Sequence, residues 1–349
     1  MHTQYFQVSG ALPLELGGRL PHPTLAYHTY GNPANPVVWV CHPLQAHSDV
    51  FEWWAGLFGP QDYFNPEQYY IVCANVVGSC FGSTGPLSEN PNQGGAAYFH
   101  EFPQISIRDM AKAHDLLRIH LKINKIHLLI GAAMGGQQAL EWAIQEPDTI
   151  QNLVLIATNA RQSAWGIAFH ESQRMAIEAD ITWRKNHLQA GEAGLRAALS
   201  IALLADRNYQ AYHQFQTDQE TLTGNFKAAV YQQKQSEKRS RSLNAFSYYT
   251  LSQAMDTHHV GRNRESIAAA LSEIHATTLV IGISSDTLFP TAEQHFIAEK
   301  IPGAIYREVL SDYGHDGFLT ETSRLKHLIR IFLDGTVGNK LAAIVNLES

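Results

Sequence analysis

The sequence predicts an α/β fold: a mostly parallel central sheet wrapped by helices, with a helical lid inserted late in the chain. Three observations carry this. Short β-branched apolar runs recur at residues 37–41, 70–74, 126–130, 153–157 and 278–283, each flanked by loop residues. Helical patterns lie between them, so strand and helix alternate. From residue 164 to 255 the strand runs vanish and helical stretches take over.

Taken in order, the stretch up to Tyr30 reads as extra edge strands joined by hairpins. The runs at 37–41 (VVWVC) and 70–74 (YIVCA) are apolar throughout, as expected of strands buried on both faces of a parallel sheet. Residues 107–121 carry Met110, His114, Leu117 and Leu121 at helical spacing. The strand at 126–130 runs into a glycine-rich turn, and a helix is expected over 135–145. Helices are then expected at 194–204, 225–234 and 246–255, a strand near 304–309, and a helix over 291–300. The chain thus divides into 1–163 (first part of the core), 164–255 (helical lid) and 256–349 (second part of the core). A lid so placed covers the carboxyl ends of the strands, where open α/β sheets bind ligands.

The 349 residues suffice for one large core with a subdomain. A formal net charge of -7 repels a phosphate backbone on average, so a nucleic-acid partner is not expected. The basic cluster Lys234, Lys238, Arg239 and Arg241 reads as a solvated helix face or loop. Three cysteines make no disulfide framework, and a reduced, cytoplasmic setting is expected. The opening MHTQYFQVSGALPLELGG has neither a basic start nor a long apolar run, so no signal peptide is expected. No window approaches the length of a membrane span, so no membrane partner is expected. The pair His258-His259 lacks further ligands at metal-binding spacing, and no metal is expected.

After the apolar run at 126–130 comes Gly131-Ala132-Ala133-Met134-Gly135-Gly136. Strand, tight small-residue turn, then helix is the setting of a nucleophile elbow, here G-x-A-x-G with Ala133 at the tip. A methyl group has no lone pair and no proton to give, so no acyl-enzyme can form at this position. Read alone, the glycines equally suit a turn that merely packs strand against helix.

Further along, Asp286 follows an apolar strand, and His315 sits in a glycine-bounded loop after another. Nucleophile position, Asp, then His is the order of the α/β-hydrolase arrangement. His315 is then the general base, and Asp286 fixes its tautomer and stabilises its cation. Asp286 has an alternative reading as the N-cap of the helix at 291–300. An oxyanion hole needs two backbone N–H donors: Met134, just past the elbow, and Leu44, in the loop after residues 37–41, are the candidates.

These motifs together resemble the homoserine O-acetyltransferase family. The matching strings are Cys41-His42-x-Leu44; Asn75-Val-Val-Gly78-Ser79-Cys80-x-Gly82-Ser83-Thr84-Gly85-Pro86; and Phe102-Pro103-x-Ile105-x-Ile107-Arg108-Asp109-Met110. They continue with Met134-Gly135-Gly136-x-Gln138-Ala139-Leu140-Glu141-Trp142, Ala254-Met255-Asp256, Val260-Gly261-Arg262, Ser285-Asp286, Phe289-Pro290 and Tyr313-Gly314-His315-Asp316. The resemblance implies ping-pong transfer of acetyl from acetyl-CoA, a donor substrate with no bound cofactor, through a serine to the hydroxyl of homoserine. It places the activity in methionine biosynthesis and implies a homodimer contact through the lid helices. Asp316 resembles the residue that holds the substrate ammonium, a role suited to a carboxylate.

Four departures stand out. The family has serine where this chain has Ala133. Its lid arginine linked to substrate recognition falls on Leu199, and a tyrosine falls on Asp206. Arg196, one helical turn before Leu199, is the candidate replacement. Ala46 stands where the oxyanion loop usually has glycine. Two accounts are open: a serine replaced deliberately in an ordinary acyltransferase, or a chain that diverged naturally. Three functions follow: an acyltransferase active only with serine at 133, a nucleophile-independent enzyme using His315 and Asp286, or a non-catalytic binder of metabolites.

Overall fold

The computed structural model describes residues 2–221 and 223–345, so residues 1, 222 and 346–349 of the expected segments lie outside it. Ten strands form in chain order: β1 (Gln4–Gln7), β2 (Ala11–Pro13), β3 (Arg19–Pro21), β4 (Thr24–Tyr30), β5 (Val37–Cys41), β6 (Tyr70–Ala74), β7 (Ile126–Ala132), β8 (Ile150–Ile156), β9 (Thr277–Ile283) and β10 (Ile305–Val309). Eight of them make one sheet, ordered β1-β4-β6-β5-β7-β8-β9-β10, while β2 and β3 pair apart as a hairpin. From β6 to β10 every neighbour pair is parallel; β1–β4 and β4–β6 are antiparallel. The edge strands expected before Tyr30 are therefore present.

The parallel strands are buried because helices cover both faces. Strands β5 and β6 are buried at every residue, which their unbroken apolar runs require. The outer strand β10 is mostly exposed, and the charged Arg307 and Glu308 on it fit an edge.

Among the described residues there are twelve α-helices: α1 (Val50–Trp53), α2 (Ile107–His120), α3 (Met134–Gln145), α4 (Ala164–Glu178), α5 (Glu192–Asp206), α6 (Tyr209–Gln216), α7 (Lys227–Ser240), α8 (Ala245–Asp256), α9 (Ile267–Ser272), α10 (Thr291–Lys300), α11 (Gly317–Thr320) and α12 (Thr322–Val345). Helix α2 starts at a capping box, in which the Ser106 hydroxyl accepts from the Asp109 N–H and Asp109 accepts from the Ser106 N–H at 2.9 Å. Its apolar stripe packs under the sheet beside α3. There Trp39 and Trp142 meet edge to face, with ring centres 4.9 Å apart.

Among the described residues six helices, α4 to α9, lie between β8 and β9, and the first five occupy the stretch where strand runs were absent from the sequence. Of these, α4, α5 and α8 share a small core of their own that includes Ile177, Trp183, Leu195, Leu199 and Phe246. Gly194 lets α4 and α5 cross closely, since a Cβ there would lie 2.6 Å from the Ile177 Cα. The string from Asn75 to Thr84 is a latch. Asn75 donates to the Ser48 hydroxyl at 2.8 Å and to the Phe81 carbonyl at 2.7 Å, while the Ser83 hydroxyl donates to the Asn75 carbonyl at 2.6 Å. It ties the loops after β5 and β6 together above the sheet.

Candidate active site

The turn from β7 into α3 places Ala133 at φ 51°, ψ -122°, a backbone conformation that L-residues avoid. Packing holds it there. A Cβ on Gly131 would lie 2.2 Å from the Gly135 carbonyl oxygen, and one on Gly135 would lie 2.0 Å from that of Cys41. Only glycines let the strand, the helix and the end of β5 come so close. The Thr158 hydroxyl donates to the Ala133 carbonyl at 2.8 Å, pinning the turn from the other side.

His315 lies in a short 3-10 turn after β10, and Asp286 in the loop after β9. His315 Nδ1 donates to Asp286 Oδ2 at 2.6 Å, while Asp286 Oδ1 accepts the Leu288 and Phe289 N–H groups at 2.8 and 2.9 Å. Both residues are buried. Burial alone would depress the His315 pKa. The Asp286 charge and hydrogen bond, with smaller contributions from Asp206 and Asp316, outweigh it and raise the value. The alternative reading of Asp286 as a helix cap fails, because Pro290 occupies the N-cap of α10.

The loop after β5 is cinched by His42. Its Nε2 accepts the Val76 N–H at 3.2 Å, so Nδ1 carries the proton and donates to the Pro43 carbonyl at 2.9 Å. Burial pushes this imidazole down to about 3, which keeps it neutral in that tautomer. Gln138 of α3 donates to the His42 carbonyl at 3.2 Å and ties the loop to the elbow helix. Among the described residues, the Leu44 and Met134 N–H groups have no hydrogen-bond acceptor. At the first position of α3, Met134 is one of the free donors every helix start presents.

These parts meet at a cavity of about 240 Å³, whose lining includes Leu44, Ala46, Ala133, His315, Asp316 and Asp206. Helices α4, α5, α7 and α8 line it too, through His170, Ala202, Arg239 and Tyr248. Asp316 is held by Arg207, whose Nε donates at 2.9 Å. Burial, then the neighbouring Asp206, raises the Asp316 pKa against the pull of Arg239 and Arg207.

Two expected contacts lie elsewhere. Leu199 is buried in the helical core beside Trp183 and Phe246, away from the cavity lining. Arg196 is exposed on the outer face of α5 and so does not take over an arginine's part in the cavity. The basic cluster on α7 also divides. Lys234, Lys238 and Arg241 are exposed, as a solvated face requires, but Arg239 turns inward onto the cavity and pairs with Asp206. The reason is register: Ser236, Arg239 and Ser240 share the inward stripe of the helix.

Sequence reasoning also missed His170. Its Nδ1 donates to Asp256 Oδ1 at 2.6 Å, and Arg174 holds the other oxygen of Asp256 at 2.6 Å. A signal existed, since Gly166, His170, Gln173 and Ile177 repeat at helical spacing on the buried face of α4. Polar side chains on such a stripe mark a cavity wall. Among the described residues no group of three or more His, Cys, Asp or Glu side chains is arranged to hold a metal ion, and no helix is long and apolar enough to cross a membrane.

The comparisons with known proteins agree with this geometry. The family described as alpha/beta hydrolase fold matches residues 36–322. A homoserine O-acetyltransferase from Cyclobacterium marinum is 43% identical over 336 residues, covering 95% of each chain. One from Chlorobaculum tepidum is 39% identical over 333 residues, 94% of this chain and 93% of that one. Among solved structures, a homoserine O-acetyltransferase from Bacillus anthracis superposes with a TM-score of 0.87 at 22% identity, covering 95% of this chain and 97% of that one.

Proposed function

The chain belongs to the homoserine O-acetyltransferases, within the α/β-hydrolase-fold family, and from that premise we propose that its cavity is built for acyl transfer from acetyl-CoA to the side-chain hydroxyl of homoserine or a related amino acid. The observation that carries the reading is that His315, backed by Asp286, shares one cavity with elbow residue 133.

With serine at 133, His315 Nε2 takes the hydroxyl proton as the oxygen attacks the thioester carbonyl. The Leu44 and Met134 N–H groups receive the oxyanion, and CoA leaves with the proton. The acceptor hydroxyl then attacks the acetyl-serine, with His315 as base again. Asp316 and Asp206 supply carboxylates for the acceptor's ammonium. Residues 164–255 act as the lid, because four of their helices line the cavity. The protein works in the cytoplasm, in methionine biosynthesis, as a homodimer joined through those helices.

Ala133 closes the covalent route in the chain as it stands. The test is Ala133→Ser, with CoA release measured on acetyl-CoA and homoserine or serine. Turnover well above the parent supports the reading. A folded variant inert with every hydroxy amino acid overturns it.

A second reading has one observation in its favour: the base is intact although the nucleophile is gone. In it the acceptor oxygen attacks the thioester directly. His315 removes the hydroxyl proton, the C–S bond breaks, and the proton passes to the thiolate. Slow turnover by the parent chain, abolished by His315→Ala, is the expected result. Parent turnover that survives His315→Ala would exclude it.

A further inference from the structure

We propose that Arg239 is the anchor for the acceptor's carboxylate, so that the cavity selects a zwitterionic amino acid over an uncharged or decarboxylated hydroxy compound. The inference rests on the reading above that the acceptor is an amino acid, and it names the residue that sets that preference.

Arg239 is the one cationic Lys or Arg lining the cavity among the described residues. Its charge is secure. Burial opposes it, but Asp206 and Asp316 outweigh that and raise its pKa further. One end of the guanidinium is committed: Nη1 donates to Asp206 and to the Gln45 side-chain oxygen, the latter at 3.2 Å. The other edge is not. Nη2 stands 3.6 Å from Asp316 Oδ2, outside hydrogen-bond distance, and among the described residues Nε has no acceptor. The parallel N–H groups of Nε and Nη2 are the fork that grips a carboxylate with two bonds. Asp206 and Gln45 hold the fork in place, so little rotamer freedom is left to lose on binding.

The charge balance points the same way. Asp206 and Asp316 face Arg239 and Arg207, two negative groups against two positive. A ligand carrying one ammonium and one carboxylate adds no net charge to this cluster. A neutral alcohol leaves the Nε/Nη2 edge without a carboxylate partner, and an amine without a carboxylate adds an unbalanced cation. Leu199 and Arg196 offer no alternative anchor, the first being packed among the lid helices and the second exposed.

The parent chain suits the test, because without a nucleophile it binds without forming an acyl-enzyme. Calorimetry would compare L-homoserine with its α-carboxamide, which keeps the ammonium and the hydroxyl. We expect homoserine to bind at least ~10-fold more tightly, the ratio a charge-assisted pair provides. In Arg239→Gln the ratio should fall to about 1 through loss of homoserine affinity. In Asp206→Asn, which removes the charged partner that holds the guanidinium in place, the ratio should fall part of the way, because the fork then loses rotamer freedom on binding. A role limited to holding the fold would weaken both ligands together and leave the ratio unchanged. An equal ratio in the parent, or one that Arg239→Gln and Asp206→Asn both leave unmoved, overturns the proposal. If Ala133→Ser turns over homoserine while these ratios stay flat, the anchor is wrong and the acyltransferase reading stands. If homoserine neither binds the parent nor reacts with Ala133→Ser, both fall.

Discussion

Asp286 engages His315 at Nδ1 alone, at 2.6 Å, which leaves Nε2 as the ring nitrogen available for proton transfer. This bond, with the charge behind it, raises the His315 pKa against the effect of burial. A general base works when neutral, so the activity of Ala133→Ser should climb with pH through a midpoint above the ordinary imidazole value of about 6.5. Asp286→Asn should move that midpoint down and lower the plateau. The same shift acts on stability. The folded state favours protonated His315, so the contribution is full below the ordinary value and is lost as pH rises through the raised one. Rate profiles and urea melts across that window check both signs, and an Asp286→Asn midpoint at or above the original would contradict the assignment.

Strain at the elbow predicts an unusual substitution effect. Ala133 sits at φ 51°, where a Cβ is unfavourable. Ala133→Gly should therefore stabilise the fold by about 1 kcal/mol, net of the extra freedom glycine gives the unfolded chain. Elsewhere in a buried turn the same change would normally destabilise. Denaturant midpoints at constant m-value provide the measurement, and a loss of stability would show that the turn is not strained.

The glycine after the elbow should behave in the opposite way. A methyl on Gly135 would fall 2.0 Å from the Cys41 carbonyl oxygen, which belongs to a strand buried on both sides and cannot move aside. Gly135→Ala should cost about 3 kcal/mol or prevent folding. Gly224 is the control. It is exposed with nothing within 4 Å of a Cβ, so Gly224→Ala should be neutral or stabilising by about 0.5 kcal/mol. Thermal melts of the two variants side by side would show whether close approach, and not loss of glycine as such, is what matters.

How legible these features are in sequence follows from what each depends on. Residues 37–41 and 70–74 form strands with the expected bounds, because continuous apolarity reports burial on both faces directly. The strand expected at 153–157 instead runs Ile150–Ile156: its start carries Gln151 and Asn152, which mask the pattern, and Ala157 leaves the strand at positive φ. Ala133, Asp286 and His315 are legible because turn chemistry and chain order are local signals. Arg239 is not, since a polar side chain on a mostly polar helix looks alike whether it meets water or a cavity; His170 shows only as a polar member of the α4 stripe that Gly166, Gln173 and Ile177 share. Leu199 shows the converse limit. Alignment assigns it a substrate contact, yet its direction is set by packing against Trp183 and Phe246.

The second imidazole–carboxylate pair separates a binding role from a structural one. His170 lines the cavity, whereas Asp256 stands behind it and carries a bond from Arg174 as well. Asp256→Asn would leave a mostly buried guanidinium short of a counter-charge, though Glu171 still pairs with it at 2.7 Å. The expected loss is about 2 kcal/mol, below the usual cost of breaking a buried pair because that second partner remains. His170→Ala leaves Arg174 and Asp256 joined, so its cost to stability should stay near 1 kcal/mol. Its effect should appear instead in the affinity for the acceptor, since Asp256 engages His170 at Nδ1 and the ring lines the cavity. Measuring unfolding and homoserine binding on both variants tests the division. A His170→Ala variant that unfolds as readily as Asp256→Asn yet binds homoserine normally would make the pair purely structural.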